Sequence, residues 1–421
     1  MYLKRYIEEK IKESLEIIGV VVISGPKYCG KTTTSKLFAK TIYTLDTKSK
    51  IEITSINPKS MFNGDTPILI DEWQTIPDLW NIARSEIDSR DNKFGQFIFT
   101  GSSTPANKDN IYHNGAGRIL TLKMYPLTLS ESNESKKIIS LKKLFNNEQS
   151  INYLENNDIS LKDIAFYICR GGWPLSLNED KEKSLKITNA YCSTLFDFEN
   201  SKNNKFRNKK KDIFNMIIRS YARNISTEAR KLTLIKDINS NDDRNLDLET
   251  LDSYLEALND LYIIQDINAW NLNLRSKTSI ITTPTRHFVD TSIAAYSLNI
   301  SPDDLLNDIK TFGLFFEDFV IKELNVYSQI INGEISHYRD STGLECDAVI
   351  HLKNGKYGLI EIKLGGENLI KEGIKNLIKL ESKIKESNNK LPSFKMIITA
   401  CGPSYLSKEG IAIVPINLLT D

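Results

Sequence analysis

The stretch Gly25-Pro26-Lys27-Tyr28-Cys29-Gly30-Lys31-Thr32 matches the pattern G-x-x-x-x-G-K-[ST]. It requires a strand before it and a helix after it. Val20-Val21-Val22-Ile23-Ser24 is a β-branched run that reads as a buried strand, and Thr33 to Lys40 read as the opening turns of a helix. In such a loop, backbone N–H groups wrap a β-phosphate, helped by the positive end of the helix dipole. Lys31 is then expected to reach the β- and γ-phosphates, and the Thr32 hydroxyl to ligate Mg²⁺. The expected ligand is ATP with Mg²⁺, held by Gly25, Pro26, Lys27, Tyr28, Cys29, Gly30, Lys31, Thr32 and Thr33.

A second run supplies the other half of a nucleotide hydrolase. Ile68-Leu69-Ile70-Asp71-Glu72 is an apolar strand ending in two carboxylates, beginning with Asp71, forty residues (71 − 31) after Lys31. Asp71 at the strand's C-terminal edge is suited to hold Mg²⁺, and Glu72 to polarise the attacking water as general base. A third strand, Gln96 to Thr100, leads into Gly101-Ser102-Ser103, so Thr100 or Ser102 is the candidate γ-phosphate sensor. Arg118 is the candidate arginine for the γ-phosphate of its own or a neighbouring subunit; the second case requires a homo-oligomer.

Composition excludes little. The chain has 421 residues, 40% hydrophobic and 26% charged, with a net charge of +1, so any nucleic-acid affinity must come from local patches. The five cysteines are scattered without a C-x-x-C, and His113, His287, His337 and His351 lack metal-ligand spacing and read as turn or surface residues. No run is long enough to span a membrane, and the N-terminus does not resemble a signal peptide, so the expectation is a cytoplasmic protein.

Periodicity changes along the chain. Residues 3–18 read as an amphipathic helix, and 19–130 alternate strands and helices. Residues 131–160 are polar and read as a connection. Residues 212–261 suggest three helices followed by the strand Tyr262–Ile267, the order of a winged helix. The basic run Lys205 to Lys211 lies just upstream, either as a phosphate-binding patch or as a solvated linker. In the last block, Glu345 to Ile350 and Tyr357 to Lys363 read as a hairpin turned by Asn354-Gly355. Asp347 lies fourteen residues (361 − 347) before Glu361, and Glu361 and Lys363 share a strand face. The pattern D…E-x-K resembles that of restriction-endonuclease-like folds. Asp347 and Glu361, with Glu317 from an upstream helix, are then expected metal ligands for Mg²⁺ or Mn²⁺, and Lys363 a catalytic residue that orients water or offsets developing charge. The same residues also suit a solvated sheet face, because Ile360 and Ile362 toward a core leave Glu361 and Lys363 outside.

A family resemblance ties these pieces together. Asp71-Glu72-Trp73-Gln74 with Pro77, Phe99 to Ser103, Ala116-Gly117-Arg118 and Tyr125-Pro126-Leu127 resemble an archaeal and bacterial AAA+ ATPase family that carries a C-terminal domain of unknown function 4143. Gly171-Gly172-Trp173-Pro174, His287 to Thr291 and Phe315 to Val320 resemble later motifs of that family. The resemblance implies a multidomain α/β chain: a P-loop AAA+ ATPase core (1–130), a helical lid or linker (131–204), a winged-helix middle domain (205–300) and a restriction-endonuclease-like α/β domain (301–421). Two readings of function follow. One is an ATPase coupled to metal-dependent phosphodiester hydrolysis on DNA; the other is an ATP-gated switch or scaffold whose end domain only binds DNA or protein.

Overall fold

The computed structural model describes residues 2–102, 115–154, 158–195, 209–241, 245–271 and 282–421. Ser103, His113 and the Lys205–Asn208 part of the basic run lie outside them. Two compact units divide the chain: Met1–Pro126 with Ser193–Phe214 and Ser253–Ile263, and Leu127–Cys192 with Asn215–Asp252 and Ile264–Asp421. These units draw on segments from distant parts of the chain, unlike the expected linear division into four. Periodicity reveals elements, but not which distant segment each one packs against.

The first unit is built on five parallel strands, β1 (Val20–Ser24), β2 (Thr41–Thr44), β3 (Ile68–Asp71), β4 (Phe97–Gly101) and β5 (Ile119–Lys123), ordered β2-β3-β4-β1-β5. Its helices are α1 (Ile7–Leu15), α2 (Lys31–Ser35), α3 (Lys48–Ile56) and α4 (Asp78–Ser89). Apolar residues cover both faces of the central strands, which is why those strands read as unbroken runs. Val20, Val22, Ile68, Ile70, Phe97 and Phe99 pack with Leu79, Ala83 and Ile87 of α4. Val21, Ile23, Leu69 and Ile98 pack with Ile7 and Ile11 of α1. The helix after the glycine loop is shorter than expected, ending at Ser35 instead of continuing toward Lys40. Three consecutive β-branched threonines and a serine are poor helix formers, and the chain must reach β2 by Thr41.

In the second unit the chain continues through β6 (Ile139–Ser140), α5 (Leu141–Phe145), α6 (Leu161–Arg170) and α7 (Lys181–Thr194), whose last residues are assigned to the first unit. The connection expected over 131–160 is part of the fold. Ile139, Leu141, Leu144 and Phe145 are buried, and β6 pairs with β13 (Leu419–Thr420). The three helices expected of a winged helix are present as α8 (Lys211–Arg223), α9 (Lys231–Asn241) and α10 (Leu248–Asp260). The strand Tyr262–Ile267 is not: among the described residues it forms only isolated antiparallel bridges, Ile264 with Phe288 and Ile267 with Thr285. The next residues extend another sheet instead. Trp270 N–H donates to His337 O at 2.6 Å and His337 N–H to Asn268 O at 3.0 Å.

After α11 (Thr291–Ser297) and α12 (Pro302–Asn307) comes the 22-residue α13 (Ile309–Ile330), then β7 (Gly333–Arg339), β8 (Glu345–Leu352), β9 (Tyr357–Lys363), α14 (Glu367–Glu386), β10 (Phe394–Thr399), β11 (Tyr405–Leu406) and β12 (Ala412–Pro415). The sheet order is β11-β12-β10-β9-β8-β7, with β7, β8 and β9 antiparallel and β9, β10 and β12 parallel. The Asn268–Trp270 segment thus covers the β7 edge, which would otherwise present unpaired backbone groups. Among the described residues no helix is long and apolar enough to cross a membrane.

Candidate functional site

In the first unit, parallel strands bring the glycine loop, Asp71 and Thr100 to one edge of the sheet, outside the carboxyl ends of the strands, where such sheets bind ligands. Gly25 has φ +155°, and a Cβ there would lie 2.1 Å from Met124 O. Gly30, with φ +104°, turns the loop into α2. The buried Arg5 guanidinium donates to Cys29 O and Tyr125 O, both at 2.7 Å, and holds the loop from below. Lys31 is 6% exposed and folds back onto the loop, its Nζ donating to Gly25 O (2.9 Å) and Pro26 O (2.6 Å). Lys27, Tyr28 and Thr33 are exposed and Cys29 is buried.

The Thr32 hydroxyl donates to Asp71 at 2.9 and 3.0 Å from its two carboxylate oxygens. The Thr100 hydroxyl also donates to Asp71 Oδ1. The two residues sit side by side because β3 and β4 pair Asp71 with Thr100. Thr100, expected as a γ-phosphate sensor, has no exposed surface, and this hydrogen bond orients Asp71. Ser102 donates instead to Glu72 Oε2 at 3.3 Å, which also accepts from Gln74 Nε2 at 2.5 Å. Glu72 has φ +59°, a left-handed conformation that costs a non-glycine residue on the order of 1–2 kcal/mol and clusters at functional sites.

Arg118 is also corrected as a contact to its own chain's γ-phosphate. It precedes β5, and its carbonyl accepts the N–H of Val20 at the start of β1. It therefore sits at the opposite edge of the sheet, roughly 17 Å from the loop for a five-residue strand, where its Nε donates to Asp88 at 2.9 Å. A residue that sequence reading missed lies on the correct edge. Lys123 pairs in register with Ser24, and its ammonium stands 4.9 Å from the Tyr125 ring centroid and 5.9 Å from that of Tyr262. Burial lowers its pKa to about 8. Nothing in Ile119-Leu120-Thr121-Leu122-Lys123 marks it, since Tyr262 arrives from far along the chain.

In the second unit, a β-bulge sets the carboxylate geometry. Between the pairs Ser336–Val349 and Tyr338–Cys346, His337 alone opposes both Asp347 and Ala348. Bulges re-aim side chains and interrupt pairing. The β8–β9 ladder ends at Ala348–Ile360, and Asp347 Oδ2 takes the Ile362 N–H at 2.7 Å. Lys363 Nζ lies 3.1 Å from Asp347 Oδ2 and 2.8 Å from Glu361 Oε2. The expected solvated sheet face is corrected here: the Glu361 side chain is 0% exposed, Asp347 11% and Lys363 19%. β9 is central, and α14 closes over it, with Gly373 placed so that a Cβ would lie 3.6 Å from Glu361 Cβ.

Burial raises the pKa of Glu361 well above the usual range; the Asp347 charge adds to this and Lys363 opposes it. The half-buried Glu317 on α13 is raised in the same way, by burial and then by Asp347. Burial disfavours the Lys363 ammonium, but Asp347 and Glu361 outweigh it and raise its pKa. All four expected residues therefore share one electrostatic environment. Hard carboxylate oxygens suit Mg²⁺, and Glu361 Oε1 has no hydrogen-bond donor. Among the described residues no three carboxylate, His or Cys side chains converge as a ready-made metal cage. Mg²⁺ does not require one, since it is commonly held by one or two carboxylates plus substrate phosphates.

The later motifs named in the resemblance form hydrogen-bonded contacts within the second unit. Asp318 accepts from Phe288 N (2.9 Å) and Thr291 Oγ1 (2.7 Å) and lies 3.0 Å from His287 Nδ1. Asp290 accepts from Gly172 N at 2.9 Å, and Trp173 Nε1 donates to Ser292. His287 and His337 are 1% and 3% exposed, which corrects their reading as turn or surface residues.

Residues 18–133 match the model of an AAA domain, residues 161–304 a domain of unknown function 8612 and residues 312–419 a domain of unknown function 4143. The chain thus contains a P-loop AAA ATPase domain. The uncharacterized proteins Rv2008c of Mycobacterium tuberculosis and Mb2031c of Mycobacterium bovis are each 23% identical over 86% of this chain and 74% of their own length. Among solved structures, the Walker-type ATPase paby2304 of Pyrococcus abyssi overlaps 69% of this chain and 94% of its own, with TM-score 0.42 and 16% identity. A point variant of RuvB from Thermotoga maritima overlaps 62% and 88%, with TM-score 0.27 and 14% identity. At these scores the overlaps are loose, and nothing about this chain rests on them.

Proposed function

We propose that this protein hydrolyses ATP in its first unit and, under control of that nucleotide, cuts DNA by metal-dependent phosphodiester hydrolysis in its second. Lys31 releases Gly25 O and Pro26 O to meet the β- and γ-phosphates. Thr32 and Asp71, already hydrogen-bonded to each other, would hold the Mg²⁺ that accompanies ATP. Glu72, oriented by Gln74 and Ser102, takes the proton of the attacking water.

The observation that carries the second activity is the Lys363 ammonium within 3.1 Å of both the Asp347 and the Glu361 carboxylate. Asp347, Glu361 and Glu317 would hold a divalent ion, which when bound polarises the phosphate and acidifies a water. Lys363 opposes the rise in the Glu361 and Glu317 pKa values and is positioned to offset charge on the phosphate oxygens. The same ammonium already pairs with both carboxylates, which supports a second reading, an ATP-gated switch whose end domain binds DNA or protein without cutting.

ATP turnover and DNA cleavage in Mg²⁺ and Mn²⁺, compared for wild type, Lys31→Ala and Asp347→Ala, separate these. Lys31→Ala should abolish turnover, and Asp347→Ala should abolish cleavage while sparing turnover. Turnover unchanged in Lys31→Ala refutes the ATPase assignment. Wild-type protein that binds DNA but never cuts it leaves the switch.

A further inference from the structure

An open cavity of about 490 Å³ in the second unit is lined by residues of the α8–α9 connection, the start of α9, Thr283 and Arg339. Its volume lies within the ~300–1,000 Å³ typical of ligand clefts. Its lining is cationic with hydroxyl donors. Arg230 is exposed, and among the described residues its guanidinium has no ion-pair or hydrogen-bond partner. The one lining anion, Glu228, pairs with Arg339, whose Nη1 lies 3.4 Å from its Oε2. Arg230 therefore remains as an uncompensated positive charge, beside Thr233 and Thr283.

The cavity adjoins the carboxylate site through a single residue. Arg339 also reaches Glu345 Oε2, at 3.5 Å. Glu345 stands two residues before Asp347 on β8, on the same side of the strand and roughly 7 Å away. A site made of three carboxylates repels phosphate, and a chain of net charge +1 supplies no general attraction. A strand docked there needs a local cation for its neighbouring phosphate.

We infer that this cavity binds a phosphodiester of the DNA strand whose reacting phosphate is held at Asp347, Glu361 and Lys363, with Arg230 as the contact. The inference rests on the phosphodiester reading of that carboxylate site.

The test uses the full chain in EDTA, so that no cleavage occurs, and a fluorescent single-stranded DNA titrated at several salt concentrations. Arg230→Ala should weaken binding roughly threefold to tenfold and reduce the salt slope by about 0.7, the value for one contact on a single strand. Arg230→Glu should weaken it further. Lys186→Glu, the same charge change on α7, should stay within about twofold of wild type, as expected for a residue away from the phosphate contacts. Asp347→Asn should lose cleavage in Mg²⁺ yet keep the Arg230 dependence of binding. If Arg230→Ala and Arg230→Glu bind with wild-type affinity and slope while the wild type cuts, the cavity is not a phosphate subsite and the carboxylate reading stands. If wild type binds no DNA, both are overturned.

Discussion

Replacing Lys363 with methionine gives a direct test of the carboxylate site. Methionine keeps most of the side-chain volume and removes the cation. The ammonium sits 2.8 Å from Glu361 and 3.1 Å from Asp347, and the Glu361 side chain has no exposed surface. At an effective dielectric constant near 20, each contact contributes roughly 5 kcal/mol of Coulomb attraction before desolvation. Removing one partner from a buried pair costs about 3–5 kcal/mol net, or roughly 6–20 °C in melting temperature for a unit of this size. The loss must depend on pH. Glu317 and Glu361 already have raised pKa values, by burial and by Asp347, with Lys363 opposing; without Lys363 they rise further. A carboxyl whose folded pKa exceeds its unfolded value keeps its full stability below the unfolded value, near 4.5, and loses it as pH rises through the folded value. Lys363→Met should therefore be strongly destabilised at pH 8 and recover toward wild type near pH 5, when one carboxyl takes a proton. Chemical unfolding of both proteins between pH 5 and 8.5 measures this. A loss below about 1 kcal/mol, or one independent of pH, would falsify the buried cluster described here.

Two further tests address other sites. Glu323, fully buried on α13, accepts from Leu129 N at 2.9 Å and Tyr327 Oη at 3.0 Å and pairs with buried Lys322 at 3.1 Å. Glu323→Ala removes the nearer carboxylate of that ammonium, leaving it Leu127 O at 3.1 Å and Asp290 at 3.8 Å, and should cost about 3–5 kcal/mol; thermal unfolding that matches wild type refutes it. Burial holds Lys123 at a pKa of about 8 against an ordinary 10.5. Its charge opposes folding below pH 8, and this penalty fades between pH 8 and 10.5. Lys123→Met should raise the melting temperature at pH 7 and flatten its rise with pH, and equal pH profiles for the two proteins would refute the assignment.

Much of the nucleotide site was legible because it is local. A glycine loop between a strand and a helix must meet a carboxylate at the end of a neighbouring parallel strand, and Asp71 is where that rule puts it. Arg118 was misread because Ile119–Lys123 was not recognised as a parallel strand beside β1, which puts the residue before it at the end away from the loop. The Asp347–Glu361–Lys363 set was legible as spacing along a hairpin. Its burial was not, because α14 covers it from beyond the hairpin and a bulge on β8 aims Asp347. Arg230 and Arg339 give no signal at all, being separated by more than a hundred residues.

The sequence alone determined the chemistry available: a phosphate loop, a pair of carboxylates for water and metal, and a second carboxylate set with a lysine. Its periodicity also determined the central strands, because parallel strands buried on both faces have to be apolar throughout. Only the tertiary structure decided which charges are desolvated and which remain paired. That outcome depends on long-range burial, which turns Lys363 from a surface lysine into the counter-ion of a buried carboxylate cluster and leaves Arg230 without a partner among the described residues.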